Sequence, residues 1–364
     1  MEPFKDQFYN PTYIDSLSKD ILVFYPEFDH LNFQKSILDE SWKAKELKER
    51  MYHISGNLRK FLPEDYLGAI QILMKVAELK IKEKRTGAGD LVLPDFVEKF
   101  GLEHFEISVK ALELFTQTCS SEFAVRPFIV KYPEKMMRKM LFWAEHKNQH
   151  VRRLASEGCR SRLPWAMALP QFKIDPSPII PILEKLRNDE TEYVRKSVSN
   201  NLNDISKDHP EVVLQLAKHW YGENENTNRL IKHALRTLLK SGNADALEIL
   251  SINKEAKIEN IDFHLSHEQI QLGEKMIMNF VFKTLEKQKV RVEYKIHFIK
   301  SNGKSSPKIF QWFQGEVEAN SNKTLSKTHH FLNHSTRKHF AGKHIIEIVV
   351  NGQSQISKVV NLLY

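Results

Sequence analysis

Apolar residues recur every three or four positions through roughly the first 250 residues, which is the spacing of helices that bury one face. Ile14, Leu17 and Ile21 show this pattern near the start of the chain, and the run from Tyr66 to Ile81 repeats it. Glu and Lys three or four positions apart lie between the apolar positions and support exposed helical faces. Residues 1–255 are therefore predicted to be helical.

A weak internal repeat follows from about residue 105. Three pairs, each an apolar residue followed by a basic one, lie at 151–152, 194–195 and 231–232, and each follows a short polar stretch. Their spacing is close to the period of about 40 to 47 residues that is typical of HEAT and armadillo units. The inner helices of such arrays line a concave surface. The pattern predicts that the apolar residue of each pair faces the core and that the basic residue faces the groove.

Near residue 252 the helical period gives way to alternation, as in Met276–Phe282 and Val290–Phe298. Asn351-Gly352 between two apolar runs predicts a hairpin. About seven short strands favour an antiparallel sandwich of immunoglobulin type over residues 262–364. The Cys…Trp…Cys pattern of antibody domains is absent, which leaves the strand topology open. The predicted fold is thus a right-handed α-solenoid of HEAT-like helix pairs followed by an immunoglobulin-like β-sandwich.

The composition is that of a globular protein, with 41% hydrophobic and 27% charged residues among 364. We expect no signal peptide, because the first residues lack a basic stretch followed by an apolar one, and no apolar run reaches bilayer length. Two cysteines, Cys119 and Cys159, are too few for a disulfide framework and fit a reducing compartment. We therefore expect a cytoplasmic protein that associates with the nucleoid when it acts.

Charge is distributed unevenly along the chain. The net charge of +8 lies in residues 265–364, which hold 15 Lys and Arg against 7 Glu. A basic appendage on a neutral body suits a polyanionic partner, although a solvated basic surface gives the same count. The C-terminal domain could clamp DNA or could serve only as a solubilising appendage.

Three segments combine cations with carboxylates or amides at helical spacing: 120–128, 151–165 and 193–204. In the second segment four arginines surround Glu157, and Gly158 follows it. A helix-interior glycine costs roughly 1 kcal/mol relative to alanine, so we expect a reason for it, such as close approach of a phosphate backbone. Each of these features has an alternative explanation. For Gly158 it is fraying of the helix end, and for Arg153 and Glu157 it is a surface ion pair. For Trp165 it is a position in the core.

These segments resemble a known family. Ser121–Phe128, Val151–Trp165 and Tyr193–Asp204 are similar to the bacterial HEAT-like-repeat DNA glycosylases that excise alkylated bases, in particular the AlkC branch of the AlkC/AlkD superfamily. The resemblance extends from about Phe33 through the segment Leu47-Lys48-Glu49-Arg50-Met51 to about Trp220. Ser161 stands where many relatives have proline, and we expect this difference to lie in a surface loop.

The resemblance implies a DNA glycosylase that acts on cationic N3-alkylated bases, 3-methyladenine and 3-methylcytosine, in duplex DNA without full base flipping. It implies that Glu122, Glu157 and Asp204 are the active-site carboxylates. We expect them to stabilise an oxocarbenium-like state, with Glu157 and Asp204 nearest the sugar. No lysine in the three segments stands out as a Schiff-base nucleophile, so a monofunctional enzyme is expected.

The predicted partner is alkylated double-stranded DNA, and we expect a monomer with no obligatory protein partner and no cofactor. The residues predicted to bind DNA are Arg126, Arg152, Arg153, Arg160, Arg162, Trp165, Arg195, Lys196, Asn200 and Asn201.

Two other functions remain open on the sequence: a HEAT-repeat scaffold that binds a protein partner, and a nucleic-acid-binding protein without catalysis. No metal site is expected. The histidines of the strand-rich region are interpreted as solvated loop or strand residues, and they are His329, His330, His334, His339 and His344.

Overall fold

A computed structural model describes residues 3–333 and 338–364, so His334 lies outside the described residues. The first thirteen helices are α1 (Phe4–Phe8), α2 (Pro11–Phe24), α3 (His30–Ile37), α4 (Leu47–Phe61), α5 (Tyr66–Lys82), α6 (Val92–Phe100), α7 (Phe105–Phe115), α8 (Val125–Lys131), α9 (Pro133–Trp143), α10 (Gln149–Glu157), α11 (Gln171–Ile174), α12 (Ile180–Leu186) and α13 (Glu192–Ile205). The remaining four are α14 (Pro210–Trp220), α15 (Glu225–Ala234), α16 (Arg236–Lys240) and α17 (Ala244–Ile249).

Local sequence explains where several of these helices begin. The side chains of Asn10, Asp65 and Thr191 accept hydrogen bonds from backbone N–H groups in the first turns of α2, α5 and α13. Pro133 occupies the first turn of α9, where no intrahelical N–H bond is lost. The predicted helix from Tyr66 is therefore confirmed, with an end at Lys82.

The repeat predicted from the sequence is present as a row of neighbouring helices. α10 packs against α13, and α13 packs against α15. Val151 and Val194 lie in the first turns of α10 and α13, Ile231 lies in the second half of α15, and all three are fully buried. The prediction that the apolar residue of each pair faces the core is thus confirmed.

The strands are β1 (Ile258–Leu265), β2 (Gln269–Gln271), β3 (Lys275–Thr284), β4 (Gln288–Ile299), β5 (Ser305–Val317), β6 (Asn322–His330), β7 (Gly342–Val350) and β8 (Gln353–Leu363). One sheet has the order β1-β3-β6, and the other has the order β2-β8-β7-β4-β5. All pairings are antiparallel except β2 with β8. Side chains of both sheets, such as Phe280, Val292 and Ile346, share one buried core.

Asn351 and Gly352 form the predicted hairpin turn between β7 and β8. Both have positive φ, 49° and 80°, as a type I′ turn requires. A Cβ on Gly352 would lie 2.5 Å from the Cα of Gly242, so the hairpin packs tightly on the turn that follows α16.

Backbone packing divides the chain into two compact units. The first runs to His209 and includes Glu225–Ala234, and the second combines Pro210–Asn224 with Leu235–Tyr364. Helices α14, α16 and α17 therefore pack with the sandwich, although the change from helix to strand lies between Ile249 and Ile258. No helix of the described residues is long and apolar enough to cross a membrane.

The expectation of solvated histidines in the sandwich is wrong for three of them. His329, His339 and His344 are buried, and their rings pack against Phe298 and Phe331. They fall on inward-facing positions among aromatic side chains, where burial lowers the pKa of His344.

Candidate active site and nucleic-acid interface

The three predicted carboxylates lie at helix ends in the first unit. Glu122 lies in the connection between α7 and α8, Glu157 is the last residue of α10, and Asp204 lies in the last turn of α13. Because α10 and α13 are neighbours, Glu157 and Asp204 approach the same arginine, Arg160.

A continuous row of ion pairs joins the three acids. Arg153 Nη1 lies 2.7 Å from Glu122 Oε2, and its Nη2 lies 3.8 Å from Glu157 Oε1. Arg160 Nη1 lies 2.5 Å from Glu157 Oε1, and its Nε lies 2.8 Å from Asp204 Oδ2. Acids and arginines therefore alternate, so each arginine holds two carboxylates in place.

The accessibility of the carboxylates falls along the row. The side chains of Glu122, Glu157 and Asp204 are 16%, 6% and 3% exposed. Burial alone would lower the pKa of Arg160, but Glu157 and Asp204 outweigh it and hold that pKa above its ordinary value. Glu122 and Glu157 act in the same way on the pKa of Arg153. Both guanidinium groups therefore remain charged.

The oxygens of the three acids differ in how they are engaged. Asp204 uses both, since Lys207 Nζ lies 3.0 Å from Oδ1. The ion pairs of Glu157 both involve Oε1, and Glu122 accepts from Arg153 and Ser120 through Oε2. Among contacts between described residues, Glu157 Oε2 and Glu122 Oε1 have no hydrogen-bond donor, and these two oxygens remain available for a substrate or a water molecule.

Arg126 does not have the predicted role of phosphate contact. It is fully buried, and its Nη1 donates to the carbonyls of Gly158 (2.9 Å) and Arg160 (2.8 Å). Its Nε donates to the carbonyl of Met167 at 2.6 Å. Burial lowers the pKa of Arg126 to about 10. Arg126 therefore holds the loop after α10 through its backbone carbonyls, and its burial keeps the guanidinium group out of reach of DNA.

Arg152 is likewise engaged within the protein. It makes two bonds to Asp189, 2.6 and 3.2 Å long, and one of 3.0 Å to Glu190. Its Nη1 donates to the carbonyls of His146 and Lys147. All five N–H donors are therefore used, and the prediction that this arginine clamps a phosphate is corrected to a tie between successive repeats.

Arg195 repeats this geometry one repeat later. Its Nη1 donates to the carbonyls of Asp189 and Glu190, and its Nη2 donates to Asn226 Oδ1 at 3.3 Å. Each of these arginines thus bonds the turn before its own helix and a side chain of the next repeat. This link between repeats explains why a basic residue follows the apolar one at 152 and 195. The expectation that the basic residue faces the groove is wrong for Arg152.

The remaining predicted contacts divide between core and surface. Asn201 is fully buried and donates to Ser156 O and Cys159 Sγ, which contradicts a DNA contact. Asn200 is half-buried and lies 3.1 Å from His233 Nε2, and Lys196 is exposed. A pocket of about 260 Å³ between α13 and α15 is lined by Glu192, Arg195, Lys196, Ser199, Asn226, Arg229, Leu230 and His233.

Trp165 is a surface residue, with 76% of its area exposed, so a core position is excluded. Its φ is +66°, in the left-handed region that costs a residue with a side chain about 1–2 kcal/mol. Its carbonyl accepts a hydrogen bond from Lys48 Nζ.

Arg162 Nη2 lies 2.5 Å from Asp208 Oδ1 in a partly exposed pair.

Gly158 is explained by helix packing. A Cβ at this position would lie 2.6 Å from Val125 Cγ2 and 2.9 Å from Met140 Cε. The residue caps α10 and is buried between side chains of α8 and α9. The expectation that this glycine admits a phosphate backbone is therefore wrong, because protein atoms already occupy the space.

Comparison with known proteins places this site in a family. Residues 69–238, which include all three carboxylates, match the family described as DNA alkylation repair enzyme. Uncharacterized protein YhaZ of Bacillus subtilis (strain 168) is 42% identical over 347 residues, 95% of this chain and 96% of that protein. The chain belongs to the DNA alkylation repair family.

The likeness to this family extends to solved structures and to the sandwich. Pseudomonas fluorescens alkylpurine DNA glycosylase AlkC, bound to DNA containing an abasic site analog, is 33% identical with a TM-score of 0.93 over 100% of both chains. Residues 259–364 match the family described as Uncharacterised protein YhaZ, C-terminal Ig-like domain. The immunoglobulin-like assignment of the sandwich is thereby confirmed.

Sequence reasoning missed several residues of the candidate site in this member of the DNA alkylation repair family. Lys48, in the first turn of α4, lies in the Leu47–Met51 part of the resemblance but had no predicted role, and Lys207, two residues after the end of α13, lies outside the three segments. Tyr193 lies in such a segment, and its ring lies 4.8 Å from Arg153 Cζ, but an aromatic residue in a helix gives no sign of that contact. Within the described parts of the chain, no group of His, Cys, Asp or Glu could hold a metal ion.

Proposed function

We propose that this protein is a monofunctional DNA glycosylase that hydrolyses the N-glycosidic bond of cationic N3-alkylated bases, 3-methyladenine and 3-methylcytosine, in duplex DNA. The observation that carries the proposal is the row of three carboxylates held by two arginines at the ends of neighbouring repeats. AlkC, a glycosylase solved with DNA containing an abasic site analog, supports DNA as the substrate class.

The charge of the lesion determines the chemistry. A base alkylated at N3 is already positive, so it leaves with the electron pair of the C1′–N bond as a neutral molecule and needs little help from a general acid. Positive charge moves to the sugar, and water then adds its oxygen to C1′ and loses a proton. Fixed carboxylates stabilise the charged sugar more than the bound substrate, which is the source of catalysis.

Glu157 fits the principal role in this scheme. Arg153 and Arg160 hold its Oε1, which leaves Oε2 to face the developing charge or to accept the proton of the attacking water. Asp204 is saturated by Arg160 and Lys207 and acts by fixing Arg160. Glu122 is the most accessible of the three and assists from the neighbouring segment.

The DNA is held by cations that are at least partly exposed, including Arg195, which also links two repeats. Lys196 and Arg195 line the open pocket between α13 and α15, and Arg162 is partly exposed. These side chains suit phosphates, which fix register without reading sequence. Trp165 presents its indole to the lesion, which is contacted without full base flipping.

A base-release assay tests the proposal. The full-length protein is incubated with duplex that carries a single 3-methylcytosine or 3-methyladenine, and abasic sites are detected by alkaline strand cleavage. Glu157→Gln is expected to slow release about 100-fold or more, the loss typical of removing one preorganised charge-stabilising group. Binding to the duplex is expected to persist, because a negative charge near phosphates has been removed.

Glu134→Gln is the matched control, since Glu134 is an exposed glutamate on α9 whose pair with Arg138 is open to solvent. It is expected to retain the wild-type rate. A Glu157→Gln variant with full activity would remove the assignment of that carboxylate. A wild-type protein that binds both duplexes but releases neither base would instead favour the non-catalytic binding protein.

A further inference from the structure

The loop between α10 and α11 begins directly after Glu157 and carries an apolar tip. Pro164, Trp165 and Met167 are all exposed, although apolar side chains favour burial. Proteins that insert an apolar side chain between DNA bases likewise carry that side chain at an exposed position. Such a tip must be held firmly, because the loop has little regular structure of its own.

One cation holds the base of this loop. Arg126 donates to three of its carbonyls, those of Gly158, Arg160 and Met167. The N–H of Leu169 donates to Ser161 O at 3.2 Å and closes the loop. These bonds fix both ends of the segment, but none of them reaches Trp165.

A second cation, Lys48, holds the tip itself. It belongs to the first turn of α4, 117 residues away in sequence, and donates from Nζ to the carbonyl of Trp165. The same ammonium lies 4.8 Å from the ring centroid of Phe123, the residue after Glu122. Lys48 therefore connects the loop tip with the segment that carries a carboxylate.

The position of Lys48 in its helix opposes local preference. The first turn of a helix is positive and favours acids, as Glu46 and Glu49 show in the capping box of α4. A lysine there is unfavourable for the helix itself. Its contacts with Trp165 and Phe123 give the position a reason that α4 alone does not.

We propose that Lys48 is a positioning residue that holds Trp165 in its left-handed conformation and so places the indole against the DNA beside Glu122 and Glu157. This inference rests on the proposed function. Without the hydrogen bond from Lys48, nothing among the described contacts of the Trp165 carbonyl balances the unfavourable φ of +66°, and the tip relaxes.

Fluorine NMR of protein labelled with 5-fluorotryptophan tests the positioning without any turnover. The chain has five tryptophans, and Trp165→Phe identifies the resonance of Trp165. Lys48→Met is expected to shift or broaden that resonance alone, and Lys48→Arg is expected to restore it because arginine retains the donor and the charge. Lys48→Gln replaces the methionine variant if the latter does not fold.

Single-turnover base release tests the consequence for catalysis. Lys48→Met is expected to lower the rate at saturating protein by up to about 100-fold, since a misplacement of about 1 Å near a reacting centre has that effect. Affinity for undamaged duplex is expected to change little. Lys135→Met is the matched control, because Lys135 is an exposed lysine that lies over the ring of Phe105 at 5.6 Å.

An unmoved Trp165 resonance in Lys48→Met, or a shifted resonance with the wild-type rate, would overturn the inference. An equal loss of rate in Lys135→Met would also overturn it. A wild-type protein without base release would reject the proposed function and with it this role of Lys48, whereas an active wild type with an unmoved resonance would reject the inference alone.

Discussion

Arg160 shows at the residue scale how a single side chain can be needed for both stability and the site. Its Nη1 contacts Glu157 and its Nε contacts Asp204, and all three side chains are buried. A buried ion pair contributes little net stability compared with apolar residues, but breaking one leaves an uncompensated charge. Here two carboxylates depend on the same guanidinium group.

Arg160→Met is therefore expected to lower the free energy of unfolding by about 3–5 kcal/mol, the loss typical of breaking a buried pair. Calorimetry of the full chain measures it. Adding Glu157→Gln and Asp204→Asn is expected to recover part of the loss, because the unpaired charges are then removed. Arg138→Met is the control, since exposed pairs contribute about 0–1 kcal/mol, and an equal loss there would contradict the explanation.

At the scale of elements, the site depends on how closely α8, α9 and α10 approach. Gly158 ends α10 where Val125 and Met140 leave no space for a Cβ. The close approach brings α8 near the loop after α10, and Arg126 of α8 then donates hydrogen bonds to carbonyls of that loop. The glycine thus serves the packing of helices and acts on the site only through that packing.

Gly158→Ala is expected to destabilise the protein by about 1–3 kcal/mol, the usual effect of overpacking. Val125→Ala in the same chain is expected to relieve the overlap, so that the double variant is more stable than the sum of the single effects predicts. Thermal unfolding of the three variants measures this coupling.

Gly56→Ala provides the control within α4. Apart from the adjacent residues and the backbone of α4 itself, nothing lies within 4 Å of the added Cβ, and the substitution is expected to stabilise the helix by roughly 0.5–1 kcal/mol. If Gly158→Ala instead retained its stability and lost DNA affinity, close approach of the phosphate backbone would again be the better explanation of the glycine.

At the scale of the whole molecule, the distribution of charge separates the two parts of the chain. The excess of +8 lies in the last hundred residues, whereas the acids and cations of the helical repeats balance. Much of the positive charge near the carboxylates is already used in ion pairs, as the contacts of Arg152, Arg153 and Arg160 show. Fewer helical cations than the sequence indicated are therefore free for phosphates.

We predict that affinity for duplex falls about 100-fold between 50 and 200 mM salt, as expected for about four phosphate contacts. Fluorescence anisotropy measures this dependence. Replacing three exposed lysines of the sandwich by glutamine, Lys275, Lys327 and Lys343, is expected to make the dependence shallower.

The matched control neutralises three exposed lysines on helices far in sequence from the carboxylates, Lys19, Lys35 and Lys60, and is expected to leave the slope unchanged. A slope that is the same in both triple variants would show that these sandwich lysines do not contact DNA.

Local sequence determined the elements wherever a period or a cap was strong. The alternation at Met276–Phe282 became β3, the Asn351-Gly352 pair became a turn, and Val151 and Val194 became core residues. Backbone preferences and the burial of one face act over a few residues, so they can be read directly. The motifs also predicted which three carboxylates form the candidate site.

Only the tertiary structure decided what each cation does. Arg126, Arg152 and Arg153 have the same side chain, yet one holds a loop, one ties two repeats and one holds two carboxylates. Most of their partners lie roughly 30 to 40 residues away, and the local ones are Glu157, one turn after Arg153, and the His146 and Lys147 carbonyls just before Arg152. A guanidinium group bonds whichever acceptors the packing brings near, and the spacing of residues in one segment does not contain that information.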